Sequence, residues 1–415
     1  MPIPSHLQTL LRLFAAHGER AYPVGGCVRD TLMGIPPHDW DVAVTTTPER
    51  TVSLCEGAGF RTIPTGIKHG TVTVLTPHSG DPMDRAGGYD LIECTTCRTE
   101  GCYSDGRRPD GVTFTGRISD DLSRRDFTVN AMAFDFPEDG GPPVVLDLFG
   151  GQQDMKKRLI RAVGDPDTRF GEDGLRLMRA VRFAVKLDFN LEPHTRDAVI
   201  RRAGGLARIS RERISDELQK ILTSPRPETG VAMLTELGLM PYVLPQGISP
   251  HGVGELSALP ADFSLRMACL LWGLDEDRLR VNLAGLKLPT AVSKKIQILA
   301  RPTLLPSQLT PRKAREWRHA LGEQAVPALE VRLAASGEAR GALSRLLELV
   351  RASEAREEPV RIGDLAIDGN DLIALGFKPG RLLQDIFCEL LEVVWDCPEK
   401  NTREELLREA LRRRE

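Results

Sequence analysis

The 415-residue chain has no apolar run near the roughly 18 residues that a membrane-spanning helix requires, so a helical membrane protein is not expected. Its first residues, "MPIPSHLQTLLRLFAAHGER", are amphipathic and lack the charged region, apolar block and cleavage site of a secretory signal. The eight cysteines show no framework spacing, which excludes a disulfide scaffold and predicts reduced thiols in a cytoplasm. An excess of basic charge is missing too. With 55 Lys and Arg against 58 Asp and Glu the net charge is −3, which excludes a protein that grips nucleic acid over its whole surface but leaves room for local basic patches. No repeat of fixed period and no low-complexity tract is visible.

A chain this long exceeds the size at which one hydrophobic core stops growing, so two to four domains are expected. Up to about residue 155, short β-like runs ("YPVGG", "WDVAV", "TVTVL", "YDLIECTT", "VTFTG", "PVVLDLF") alternate with helical stretches and with Gly- and Pro-rich breaks. From Lys156 onward the β signal disappears. Helical spacing then dominates, as in "EDGLRLMRAVRFAVKL", "RERISDELQKILT" and "ALSRLLELVRASEA". Strands first and helices afterward predict an α+β fold: an N-terminal domain with a sheet, then an all-α remainder.

The stretch "AYPVGGCVRDTLMGIPPHDWDVAVTTT" carries the first chemical signal. On a strand, residues i and i+2 share a face, so Asp39 and Asp41 present their carboxylates together while Trp40 turns away. Two adjacent carboxylates repel unless a cation lies between them, and hard oxygen ligands suit Mg²⁺. The Gly25-Gly26 turn leaves backbone N–H groups free at a helix start, a cradle for phosphate, with Arg29 one turn further on. A phosphate cradle beside a metal-binding Asp pair means phosphoryl or nucleotidyl transfer. Taken alone, D-x-D reads equally as a solvated strand end.

Further blocks follow in order. "GG-x-VRD" with D-x-D resembles the nucleotidyltransferase signature of the polymerase-β superfamily. "DLSRRDFTVNAMAFD" (Asp121 to Asp135), "DLFGGQQDMKKRLIRAVGDPDTRFGEDGLRLMRAVRFAVKLDF" and "RERISDEL" (Arg211 to Leu218) complete a set of four co-linear blocks between residue 20 and about 220. Together they resemble the class II tRNA nucleotidyltransferases, the CCA-adding enzymes, and their bacterial poly(A) polymerase relatives. The resemblance implies a polymerase-β-like nucleotidyltransferase head with a mixed sheet over residues 1–156. Behind it come a helical neck over 157–222 that recognises the base, a body over 223–300 and a tRNA-binding tail over 301–415. It implies Mg²⁺ on Asp39 and Asp41, with Glu93 of "YDLIECTT" as a candidate third carboxylate or a plain exposed strand residue. Gly26, Arg29 and Arg125 would contact the nucleotide phosphates, and Asn130 the ribose or the turn beneath it. The implied partners are CTP, ATP and the acceptor arm and 3′ end of tRNA, with no membrane and no obligatory protein partner.

In "EDGLRLMRAVRF", Asp173 and Arg176 stand one helical turn apart, so their heads are expected side by side. That is an ordinary surface salt bridge or something more. Cytosine and adenine each present an exocyclic amine beside a ring-nitrogen acceptor, whereas guanine and uracil present a carbonyl and an N–H. An Asp acceptor beside an Arg donor matches the first two and leaves unpaired groups against the others. One protein pair can thus select both CTP and ATP without a nucleic-acid template, the role that the resemblance assigns to E-D-x-x-R. Arg179 and Arg182 continue the stripe, suited to the triphosphate or to supporting the pair. Full C, C and A addition is expected; the alternatives are poly(A) synthesis, or CC-only or A-only addition. The polar, glycine-punctuated stretch "CRTEGCYSDGRRPDGVTF" (Cys97 to Phe114) reads as a loop of the kind that, in the family, final A addition needs.

Other signals invite different chemistry. Cys94 and Cys97 spell C-x-x-C, yet three residues apart on a strand they face opposite ways and do not readily share a ligand. His38-Asp39 spells a phosphohydrolase dyad without its downstream partners. "RPTLLPSQLTPRKAREWRHAL" reads as a linker into a basic helix, either a solvated face or a grip on the RNA backbone.

Overall fold

The structure is a computed structural model that describes residues 3–83, 88–101, 111–137, 141–249, 252–302, 304–336 and 340–413. The chain forms two compact units, Met1–Ile221 with Ala232–Val243, and Leu222–Val231 with Leu244–Glu415.

The first unit opens with α1 (Ser5–Ala16), whose Leu7, Leu10, Leu11 and Phe14 recur at helical spacing and are all buried. β1 (Ala21–Pro23), α2 (Gly26–Leu32), β2 (Trp40–Val44), α3 (Pro48–Gly57), β3 (Arg61–Gly66), β4 (Thr71–Pro77) and β5 (Tyr89–Thr96) follow. They build a five-stranded mixed sheet in the order β1-β2-β5-β4-β3, in which only β2 and β5 run parallel. Trp40, Val42, Val44, Ile92, Cys94, Val72 and Val74 point to one side and pack with α1 and α3 into the main core. Their neighbours Asp41 and Glu93, paired in register on β2 and β5, point to the other.

β6 (Arg98–Glu100) and β7 (Val112–Phe114) pair antiparallel; residues 102–110, including Arg107 and Arg108 of the expected loop, lie outside the described residues. Then come α4 (Ile118–Ser123), the hairpin of β8 (Met132–Asp135) and β9 (Val144–Asp147), and α5 (Gly151–Lys157). Beyond Lys156 the loss of β structure is not complete. Two-residue strands β10 (Leu159–Ile160) and β11 (Asn190–Leu191) pair in parallel around α6 (Pro166–Glu172) and α7 (Leu175–Leu187). Helices α8 (Pro193–Arg202) and α9 (Arg211–Leu222) follow.

α10 (Pro227–Glu236) and α11 (Met240–Val243) come next. Beyond residue 244 the second unit is helical: α12 (Phe263–Leu270), α13 (Glu276–Leu286), α14 (Thr290–Ala300), α15 (Pro311–Leu321), α16 (Ala325–Ala335), α17 (Arg340–Ala355), α18 (Gly369–Ala374), α19 (Arg381–Asp396) and α20 (Arg403–Arg412). Every residue of α12 is buried, including Arg266, whose guanidinium donates to the carbonyls of Leu222, Ser224 and Leu259 at 2.7–3.0 Å. The basic helix expected after the proline-rich stretch is α15, but several of its cations are engaged within the unit. Arg312 pairs with Asp396 and Glu316, Lys313 with Glu316, and buried Arg315 lies 2.7 Å from Glu358. No helix among the described residues is long and apolar enough to cross a membrane.

Candidate active site

The site is a cavity of about 490 Å³ in the first unit, bounded by the Gly25 turn, the start of β2, the Arg124–Asn130 segment, α7 and Arg213 of α9. Gly25 is the reason the turn has its shape. Its φ of 78° lies in the left-handed region, and a Cβ there would sit 2.6 Å from Nη1 of Arg125. The bare backbone lets Arg125 press against the turn, on the wall where a phosphate cradle was expected. Gly26 begins α2 beside it.

Asp39 directly precedes β2 and Asp41 lies on it, both opening into the cavity. The Asp39 carboxylate is turned 2.8 Å from His38 Nδ1, and both side chains are exposed. Burial pushes the carboxyl of Asp41 up, Arg125 holds it down, and the charges of Glu93, Asp39 and Asp121 push it up again. Glu93 reaches this group from the adjacent strand and does not line the cavity itself. Asp41, whose charge is resisted by burial and by neighbouring carboxylates, is the kind of hard-oxygen donor that a divalent cation relieves, with Asp39 on the same cavity wall.

Each arginine expected at the site is present on the cavity wall, and each is anchored. Arg29 is 2% exposed and its Nε donates to Asp30 at 2.8 Å, while its Nη1 is bonded to Asn130. Arg125 and Arg124 share one acid, Asp121, which is fully buried. Burial raises that carboxyl, but the two guanidinium groups outweigh it and hold it below the usual carboxylate range. Arg179 donates to Asp126 at 2.7 Å and Arg182 lies 2.6 Å from Glu217. Asp126 is buried at the foot of the cavity. Burial raises its pKa, yet Arg179 and the amide of Asn130 bring it down to about 2. The ring of Phe183 carries the guanidinium carbons of Arg182, Arg179 and Arg29 at 4.1, 5.4 and 5.5 Å, a shared face that gathers three cations already paired with Glu217, Asp126 and Asp30.

The expectation that Asp173 and Arg176 pair on one helix face is corrected by the structure. Asp173 is extended, with φ −136°, and stands in the break between α6 and α7. Its Oδ1 accepts from the backbone N–H of Leu175 at 3.0 Å and its Oδ2 accepts from Nη2 of Arg213 at 2.8 Å. Arg176 pairs instead with Glu172, and donates to the carbonyls of Arg169 and Arg124 at 3.0 Å. Both still open into the same cavity, so an acceptor and a donor share the wall, each fixed by its own partner. Arg124, Asp126, Phe183, Lys186 and Arg213 are among the cavity residues that the sequence reading did not single out. Cys94 and Cys97 lie in separate clusters on opposite sides of the sheet, and among the described residues no group of three His, Cys, Asp or Glu is placed to hold a metal.

The family described as the Poly A polymerase head domain matches residues 21–161, and that described as the probable RNA and SrmB-binding site of polymerase A matches residues 188–248. A CCA-adding enzyme of Limosilactobacillus fermentum is 37% identical over 402 residues, covering 95% of this chain and 93% of that protein. The chain belongs to the CCA-adding enzymes. The Bacillus stearothermophilus CCA-adding enzyme, solved in complex with CTP, superposes over 100% of this chain and 98% of its own, with a TM-score of 0.78 at 32% identity. The Thermotoga maritima CCA-adding enzyme, solved with tRNA, shares the fold at 21% identity and a TM-score of 0.63, covering 99% of this chain and 95% of its own. Polymerase-type head, mixed sheet and helical remainder are thus those of a CCA-adding enzyme.

Proposed function

We propose that this CCA-adding enzyme extends the 3′ end of tRNA by C, C and A, taking CTP and ATP in turn without a template and releasing pyrophosphate. The observation that carries the reading is the shared wall of one cavity: Asp173 and Arg176 for the base, the Gly25 turn and Arg125 for the phosphates, and Asp39 and Asp41 at the reacting centre. The tRNA 3′-oxygen attacks the α-phosphorus, the bond to the pyrophosphate oxygen breaks, and the hydroxyl proton leaves to solvent. Mg²⁺ held by Asp39 and Asp41 would neutralise the phosphates and acidify the attacking hydroxyl. Glu93, beside Asp41 in register, would act through the charge of Asp41, since it does not line the cavity itself.

The chain's own residues supply orientation. Arg213 and the N–H of Leu175 fix the carboxylate of Asp173 as an acceptor, and Glu172 fixes Arg176 as a donor. A guanine or uracil placed there leaves buried polar groups unpaired, which rejects it more strongly than any loss of apolar contact. Asn130, bonded to Arg29 and Asp126, supports the floor under the ribose. Residues 1–156 act as catalytic head and 157–222 as neck, with body (223–300) and tail (301–415) holding the acceptor arm of a cytoplasmic tRNA substrate. Incubating the protein with tRNA lacking three, two or one terminal residue, with CTP, ATP or both, tests this directly. Addition should stop after completing CCA; a long homopolymer would make it a poly(A) polymerase, and termination after CC or failure with CTP a partial enzyme.

A further inference from the structure

Each arginine on the cavity wall faces a carboxylate: Asp30, Asp121, Glu172, Asp126, Glu217 or Asp173. Lys186 does not. It lines the same cavity from the last turn of α7, it is exposed, and among the described residues no carboxylate pairs with it. A tetra-anionic triphosphate entering this cavity therefore meets, in Lys186, a positive charge that no carboxylate among the described residues already holds.

The position of Lys186 along the helix fits that anion. Arg182 lies four residues before it and Arg179 seven, so all three share a face of α7. Arg176 and Lys186 are ten residues apart, about 15 Å along the axis, and because both side chains lean toward the N-terminus the span between their heads stays near that value. That separation is comparable with an extended nucleoside triphosphate whose base is at Arg176. The flexible lysine stem with its compact charge suits a phosphate tail that must stay bound while bases of two sizes are read at the other end.

Resting on the proposed nucleotidyl transfer, we propose that Lys186 binds the terminal phosphates of the incoming CTP or ATP, and the pyrophosphate that leaves. It would set affinity for both nucleotides alike and have no part in choosing the base. Calorimetric titration of CTP, ATP and CMP into the full-length wild type, Lys186→Ala and Lys186→Arg tests this. Expected in Lys186→Ala is a roughly tenfold weaker Kd for CTP and ATP together, the scale of a lost charge-assisted hydrogen bond. CMP binding should be unchanged, the inhibition constant of pyrophosphate should rise in parallel, and Lys186→Arg should recover most of the loss. Selectivity for C and A over U and G should stay at the wild-type value. An unchanged CTP affinity, an equal loss of CMP binding, or a rise confined to the KM for tRNA would each overturn the assignment. A wild type that binds CTP but extends no tRNA would defeat the functional reading, while the triphosphate-against-monophosphate comparison would still decide the role of Lys186.

Discussion

Replacing Arg213 by alanine should loosen base selection without touching the reacting centre. Arg213 lies forty residues from Asp173 in sequence, yet its two terminal nitrogens stand 2.8 and 3.4 Å from the Asp173 carboxylate. The pair is partly shielded, with 29% and 16% of the side chains exposed. Such a pair falls between an exposed bridge, at about 0–1 kcal/mol, and a buried one whose breakage costs about 3–5 kcal/mol, so about 1–2 kcal/mol holds the carboxylate in place. Without Arg213, Asp173 keeps the bond from the N–H of Leu175 but loses the contact that fixes its outer oxygen. A good bidentate base contact discriminates by about 1–3 kcal/mol, and loss of about half of it lowers the preference for CTP over UTP by roughly two- to tenfold. Single-nucleotide addition to tRNA lacking its last two residues, with kcat/KM measured for CTP and UTP separately, reads this out. Asp173→Ala should show at least as large a fall. A folded Arg213→Ala protein with unchanged CTP:UTP preference would refute the reasoning and reduce Arg213 to a packing residue.

Asp41→Ala should abolish nucleotide addition while leaving tRNA binding within about twofold in a filter assay, and EDTA should reproduce this in the wild type; near-normal turnover in either would refute the metal assignment. Gly25→Ala should raise the KM for CTP and ATP and lower thermal stability by about 1–3 kcal/mol, because the new methyl group collides with Arg125 at a left-handed φ of 78°. Acid should unfold the first unit in a defined window. The carboxyl of Asp126 falls from its ordinary 3.8 to about 2 on folding, so its stabilisation is present above pH 4, is lost as pH drops toward 2, and amounts to about 2 kcal/mol. Asp126→Asn should flatten that part of the stability–pH curve, and an unchanged acid limb would show that the Arg179 pair contributes nothing.

What could be read from sequence depended on whether a local pattern decided the geometry. "WDVAV" and "YDLIECTT" are rich in β-branched and aromatic residues and became β2 and β5 with the expected bounds. β3 was hidden because "RTIPTG" begins with a charge and carries a proline that suits an edge strand, and the four residues of β8 are too short for periodicity to register. The strand carrying Asp41 was legible from its local pattern, whereas Asp39 stands just before β2, with its carboxylate turned to His38, and only the cavity lining brings the two to one wall. The Asp173–Arg176 geometry was misread because helical spacing was carried through Asp173, where the chain in fact breaks. A Cβ on Gly174 would come within 2.8 Å of the carbonyl oxygen of Gly205, a contact no periodicity reveals. The approach lies at the residue after Asp173, which is extended and whose carboxylate accepts from Arg213 instead of lying along a helix face. The glycine between Asp173 and Arg176 was the available signal. Gly174→Ala should accordingly disturb base choice through backbone position alone, even though residue 174 carries no group that could touch a base.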